Sequence, residues 1–109
     1  MNFGHTSVMT REVLSGLNLR DGGIYIDGTF GRGGYTRAIL DAATTQVFGI
    51  DRDPSAITFG SKLVDKYDGR LTLIQGRFGN IASIMAEKGV GQVDGVMLDL
   101  GVSSPQIDD

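Results

Sequence analysis

From Ile24 to Arg52 the chain reads as a short apolar strand, Ile24 to Gly28, a glycine-broken loop, Thr29-Phe30-Gly31-Arg32-Gly33-Gly34, a helical segment, and a second strand closing on Asp51. This is half of a nucleotide-binding unit. Where a strand gives way to small residues and then opens a helix, backbone amides can approach a ligand, because glycine has no side chain to hold it off. An acidic residue at the end of the next strand, roughly 20 residues on, lies where a ribose would place its hydroxyls. The pair predicts an adenosine-containing ligand.

The flanking sequence extends the pattern. Before it, Met9, Val13 and Leu17 recur four apart beside Leu14, the stripe of a helix behind a Thr10 cap. His5, Thr6 and Ser7 precede that helix, and His5 either serves as a base or ligand contact or ties down the N-terminal segment. Helix Tyr35 to Ala43 places Ala38, Ile39 and Ala42 on one face. Asp53-Pro54 is a strong helix start, and that helix runs to about Lys66 with Ala56, Ile57, Leu63 and Val64 inward. Leu71 to Gln75 is the third strand; Gly76 to Asn80 is its loop, carrying Phe78, and Ile81, Ile84 and Met85 mark a helix ending at Lys88-Gly89. Val93 to Leu100 is the fourth strand. Alternation of this kind folds as a parallel sheet with right-handed crossovers. The chain stops soon after the fourth strand, so that strand's edge, Val96, Met97 and Leu98, is expected to be open and prone to self-association.

With 109 residues this is one domain or less. Its 17 glycines are about twice the average share of roughly 7% and fall singly at element ends, which is loop chemistry. There is no cysteine and one histidine, so thiolate and multi-histidine metal sites are excluded, and no metal is expected. No apolar run approaches the ~20 residues of a membrane span and the N-terminus lacks a signal-peptide profile, so a cytoplasmic protein with no membrane partner is expected. A net charge of -3 argues against a domain that grips nucleic acid by bulk electrostatics.

The glycines, at 28, 31, 33 and 34, lack the strict GxGxxG spacing of a dinucleotide fold. Carboxylates end three of the four strands, as Asp27, Asp51 and Asp99. Such a rim repels a diphosphate and suits a ribose attached to a cationic sulfonium, as in S-adenosylmethionine. Taken singly, each feature has a plainer explanation: a tight turn, a solvated strand end, a packed aromatic. Four of them at the carboxyl ends of successive strands, where open α/β sheets bind ligands, point to a site. An NAD-binding oxidoreductase module is the alternative, told apart by its preference for NADH.

The stretches His5 to Met9, Tyr25 to Gly34, Gly49 to Pro54 and Leu98 to Gln106, the last containing Ser103-Ser104-Pro105-Gln106, resemble the bacterial small-subunit ribosomal RNA cytosine-N4 methyltransferases of the MraW or RsmH type. The resemblance spans nearly the whole chain. It implies a Rossmann-like class I S-adenosylmethionine-dependent methyltransferase fold with parallel strands in the order 3-2-1-4, and methyl transfer to the exocyclic amine of a cytidine in the decoding region of 16S rRNA. Residues 1–109 would be the first half of that domain, without its remaining strands and inserted helical domain. As it stands, such a chain would be a non-catalytic cofactor-binding half. Carried over, the cofactor positions are Gly33, Gly34, Tyr35, Asp51 on the ribose, Phe78 beside the adenine, and Asp99 and Gln106 near the amino-acid end. The family usually has histidine where Tyr35 stands; a backbone contact survives that exchange. Asp99 and Ser104, in the Ser103-Ser104-Pro105 loop, are candidates to accept the protons of the amine; the plainer role for that loop is to shape the pocket.

Overall fold

The structure is a computed structural model that describes residues 16–31 and 33–98, together with the backbone of 101–103. Its strands are β1 (Ile24–Asp27), β2 (Gln46–Asp51), β3 (Leu71–Gln75), β4 (Gly95–Leu98) and β5 (Gly101–Ser103). Helices α1 (Gly34–Ala42), α2 (Pro54–Lys66) and α3 (Ile81–Glu87) connect the first four, with a 3-10 turn, Phe78–Asn80, leading into α3. The sheet order is β3-β2-β1-β4-β5, parallel except for the β4-β5 pair. The expected 3-2-1-4 order is therefore present.

The side chains of each strand alternate between two cores, as the pleat requires. Tyr25, Val47, Leu71 and Met97 face a cluster containing Ile39 and Leu40 of α1, with Leu63 and Val64 of α2 packed against it. Ile26, Phe48, Ile50 and Val96 face the other way, onto Ile81 and Met85 of α3. The right-handed crossover rule accounts for the layers. Steps from β1 to β2 to β3 run in one direction and put α1 and α2 on one face; the return to β4 puts α3 on the other. β1, paired on both edges, is the centre, and Tyr25, Ile26 and Asp27 are fully buried.

Local signals place the helix ends. Asp53 accepts a hydrogen bond from the Ser55 amide at 2.9 Å and Pro54 occupies the first helical position, so α2 starts and ends at the positions its sequence predicts. At the amino edge of the sheet, Arg70 donates to the carbonyls of Leu40, Ala43 and Thr45 at 2.6, 2.8 and 2.9 Å, clamping the end of α1 to the start of β3. The Tyr67 hydroxyl donates to Asp41 at 2.7 Å beside it. Burial, then the bond to Asp41 and the charge of that carboxylate, push the Tyr67 phenol up to about 12.

Four expectations change. The fourth strand spans Gly95–Leu98, and its outer edge is not open: Val96, Met97 and Leu98 pair with Ser103, Val102 and Gly101 of antiparallel β5. The basis for self-association through that edge goes with it. Ala42 lies on the exposed side of α1, while Thr36 joins Ala38 and Ile39 in the buried stripe. Glycine is not confined to element ends, because Gly49 lies within β2 and Gly60 within α2. Of the helix expected from Thr10, only Gly16 and Leu17 are among the described residues; both have helical backbone, and Leu17 is buried in the first core. No helix among the described residues is long and apolar enough to cross a membrane.

Candidate functional site

The turn from β1 into α1 is built around Asp27. Its Oδ1 accepts from the Thr29 amide at 3.1 Å and its Oδ2 from the Thr36 hydroxyl at 2.5 Å. A buried carboxylate needs such donors, and here they join the end of β1 to the first turn of α1. Its position in sequence predicts an acidic rim facing a cationic ligand. Asp27 is instead fully buried and engaged within the turn, because its side chain points to the α1 face of the sheet with Tyr25. The loop then crosses the strand ends: the Gly28 amide donates to Met97 O at 2.8 Å and the Phe30 amide to Ile50 O at 3.0 Å. Gly33, with φ +82°, takes the left-handed conformation that sets the entry into α1 and supplies no capping side chain. The first-turn amides of α1 are accordingly left without a side-chain cap.

Asp51 closes β2 in a different way. It is half-buried; Oδ2 accepts from the Gly31 amide at 2.8 Å and Oδ1 from the Asp53 amide at 3.0 Å. A carboxylate has about four acceptor positions, so further donors such as ligand hydroxyls can be accommodated. It opens onto a cleft of about 1160 Å³ walled by Gly28 and Thr29, by residues 51–53, and by residues 75–80 after β3. Phe78 forms part of this wall while also packing on the second core. Its ring explains Gly28: a Cβ there would stand 2.7 Å from Phe78 Cδ1 and 2.5 Å from Leu98 Cδ2. Charges in the lining balance, with Asp51 and Asp53 set against Arg52 and Arg77. The Ser55 amide and hydroxyl hold the Asp53 carboxyl below the usual carboxylate range. Among the described residues no group of three acidic, histidine or cysteine side chains is placed to hold a metal.

The cleft is thus lined mostly by polar and glycine residues, with Phe78 as its one large apolar side chain among the described residues, and lies at the carboxyl ends of parallel strands. Such a site can accept hydrogen bonds from a diol at Asp51 and bury the face of a flat ring on Phe78. Of the residues singled out from sequence, Asp51 and Phe78 share it. Gly33, Gly34 and Tyr35 begin α1 and do not line it, although Gly31 ties their loop to Asp51. The Tyr35 side chain packs partly buried against the first core. Asp99, Ser104 and Gln106, with His5, Thr6 and Ser7, lie outside the described residues. Thr29, Arg52, Gln75, Arg77 and Asn80 also line the cleft; each ends a strand or lies in the loop that follows one, where lining residues are expected.

Residues 2–109 match the MraW methylase family. Among curated relatives, the ribosomal RNA small subunit methyltransferase H of Rhodopseudomonas palustris strain BisA53 is 57% identical over 104 residues, 95% of this chain and 31% of its own length. The protein of the same name from Parvibaculum lavamentivorans is 58% identical over 104 residues, with the same coverage of both chains. The chain therefore spans about a third of the length of these relatives. Among solved structures, the C-terminal domain of precorrin-6Y C5,15-methyltransferase from Rhodobacter capsulatus superposes with a TM-score of 0.68 at 22% identity, over 89% of this chain and 50% of that one. An rRNA methylase from Streptococcus thermophilus gives 0.64 at 19% identity, over 84% and 48%. At these identities the structures establish a shared fold.

Proposed function

Because this chain belongs to the MraW methylase family, we propose that it is the cofactor-binding part of an S-adenosylmethionine-dependent enzyme that methylates N4 of a cytidine in the decoding region of 16S rRNA. Residues 1–109 then form the first part of the methyltransferase domain, and the remaining strands and an RNA-recognising helical insertion belong to the rest of the relatives' length. On this reading the enzyme is cytoplasmic, its partner is the small ribosomal subunit, and this chain alone binds cofactor without turnover. The observation that carries the proposal is the cleft joining Asp51 to Phe78.

The described residues fit the nucleoside half of the cofactor. Asp51 retains acceptor capacity toward the ribose hydroxyls, and Phe78 offers an apolar face to adenine. Gly33, Gly34 and Tyr35 are assigned backbone contacts, and Asp99 and Gln106 the amino-acid end. When bound, S-adenosylmethionine supplies a methyl group already activated by its sulfonium. The protein's task is then alignment, since the cytosine amine is a weak nucleophile and well-oriented reactants gain up to ~7–11 kcal/mol. Asp99 and Ser104 are assigned to accept the protons of that amine and so fix its orientation. Calorimetry with S-adenosylhomocysteine and NADH in parallel tests the cofactor: S-adenosylhomocysteine should bind, and Asp51→Ala should weaken it at least tenfold by removing the ribose acceptor. Preference for NADH, or an unchanged Kd in Asp51→Ala, overturns the assignment.

A further inference from the structure

We propose that Gly60 is a positioning residue for the cofactor loop, acting through Phe30, an inference that rests on the cofactor reading above for its functional consequence. The Phe30 ring, only 2% exposed, is enclosed by glycines from three elements: Gly33 at the entry to α1, Gly49 in β2 and Gly60 in the middle of α2. A Cβ on Gly60 would stand 2.7 Å from both Cε2 and Cζ of the ring; one on Gly49 would stand 2.8 Å from Cδ1, and one on Gly33 3.0 Å from Cζ. Glycine inside a helix costs about 1 kcal/mol relative to alanine, so its place in α2 needs a reason. That reason is the ring, together with Leu73, whose Cδ1 would stand 2.8 Å from the same Cβ.

The ring in turn fixes the loop. The Phe30 amide donates to Ile50 O, its carbonyl accepts from Gly33 N at 2.8 Å, and the next amide, Gly31, reaches Asp51 Oδ2. A side chain at Gly60 would press on Leu73 and on the ring; Leu73 can give at its flexible end, whereas the rigid ring, already bordered by Gly33 and Gly49, passes its displacement into the Phe30 backbone. Gly31 then leaves Asp51, and the proposed ribose acceptor loses one of the two amides that orient it. A residue buried in α2 thereby sets the geometry of the loop through the Phe30 ring.

Four variants test this by amide exchange at Gly31, with the Gln46 amide, bonded to Gly23 O far from the loop, as the internal reference. Gly60→Ala should cut Gly31 protection at least tenfold relative to Gln46. Phe30→Leu should cut it at least threefold by leaving the socket underfilled. The double variant Phe30→Leu/Gly60→Ala, in which the methyl occupies volume given up by the ring, should be better protected than either single variant. Met85→Ala, in the other core, lowers overall stability and should leave the Gly31-to-Gln46 ratio within twofold. Unchanged Gly31 protection in Gly60→Ala, an equal loss in Met85→Ala, or a double variant no better than Phe30→Leu overturns the proposal. If Gly60→Ala does not fold, the double variant against Phe30→Leu alone decides it. S-adenosylhomocysteine binding by the unsubstituted chain is scored separately: its absence sinks the cofactor reading, while the exchange ratios still decide the socket.

Discussion

Replacing Thr36 by valine isolates the bond that closes the β1-α1 turn. Both partners are fully buried, Thr36 and Asp27 each being 0% exposed, and the hydroxyl lies 2.5 Å from Oδ2. Valine matches threonine in shape and in helix propensity, so neither a cavity nor a backbone penalty enters. What is lost is one hydrogen bond to a buried carboxylate, worth about 1.5–3 kcal/mol. In a domain of this size that lowers Tm on the order of 10 °C. Thr36→Ser is the control, since it keeps the hydroxyl and gives up one methyl for about 1 kcal/mol. Equilibrium urea unfolding followed by circular dichroism measures all three proteins. The expected order of stability is wild type, Thr36→Ser, Thr36→Val. A valine variant at least as stable as the serine one would refute the claim that this bond, rather than packing, holds the turn closed.

Tyr67 should ionise near pH 12 in an absorbance titration of the folded chain. Because its folded value lies above the unfolded value of roughly 10, its contribution to stability is complete below pH 10 and fades as pH rises toward 12. Tyr67→Phe should therefore lose less stability than wild type across that interval; parallel loss in both would contradict the raised value. At the ion pair of Arg20 with Asp94, the arginine is 70% exposed and the carboxylate 28%. Arg20→Ala should cost under about 0.5 kcal/mol, as surface pairs do, whereas Asp94→Ala should cost about 1–1.5 kcal/mol because Asp94 also accepts from the Ile24 amide at 2.8 Å. Urea unfolding of the two variants compares them, and equal costs would show that the amide bond adds nothing.

Part of the candidate site is legible in the sequence. Asp51 and Phe78 stand out because a ligand at the carboxyl edge of a parallel sheet draws its contacts from residues that end strands, a rule that depends only on where each strand stops. Asp27 obeys the same rule by position and breaks it by direction: the period of two sends its side chain to the α1 face, where Thr36, nine residues on, supplies a donor. Its role can be located in the sequence but not identified there. The glycines inside β2 and α2 escape sequence reasoning for a related cause, since nothing near Gly49 or Gly60 in the chain announces that Phe30 will fill the space beside them.

Periodicity and helix capping are short-range properties, settled among residues a few positions apart, and they were sufficient to determine the strand and helix alternation and the start of α2 at Asp53-Pro54. The tertiary structure decided what depends on partners distant in the chain or on chain direction: β5 folding back over the edge of β4, the inward turn of Asp27, and one aromatic ring seated among three glycines. Close packing is the physical reason, because a contact at van der Waals distance depends on the shape of both surfaces, and a sequence pattern describes only one of them at a time.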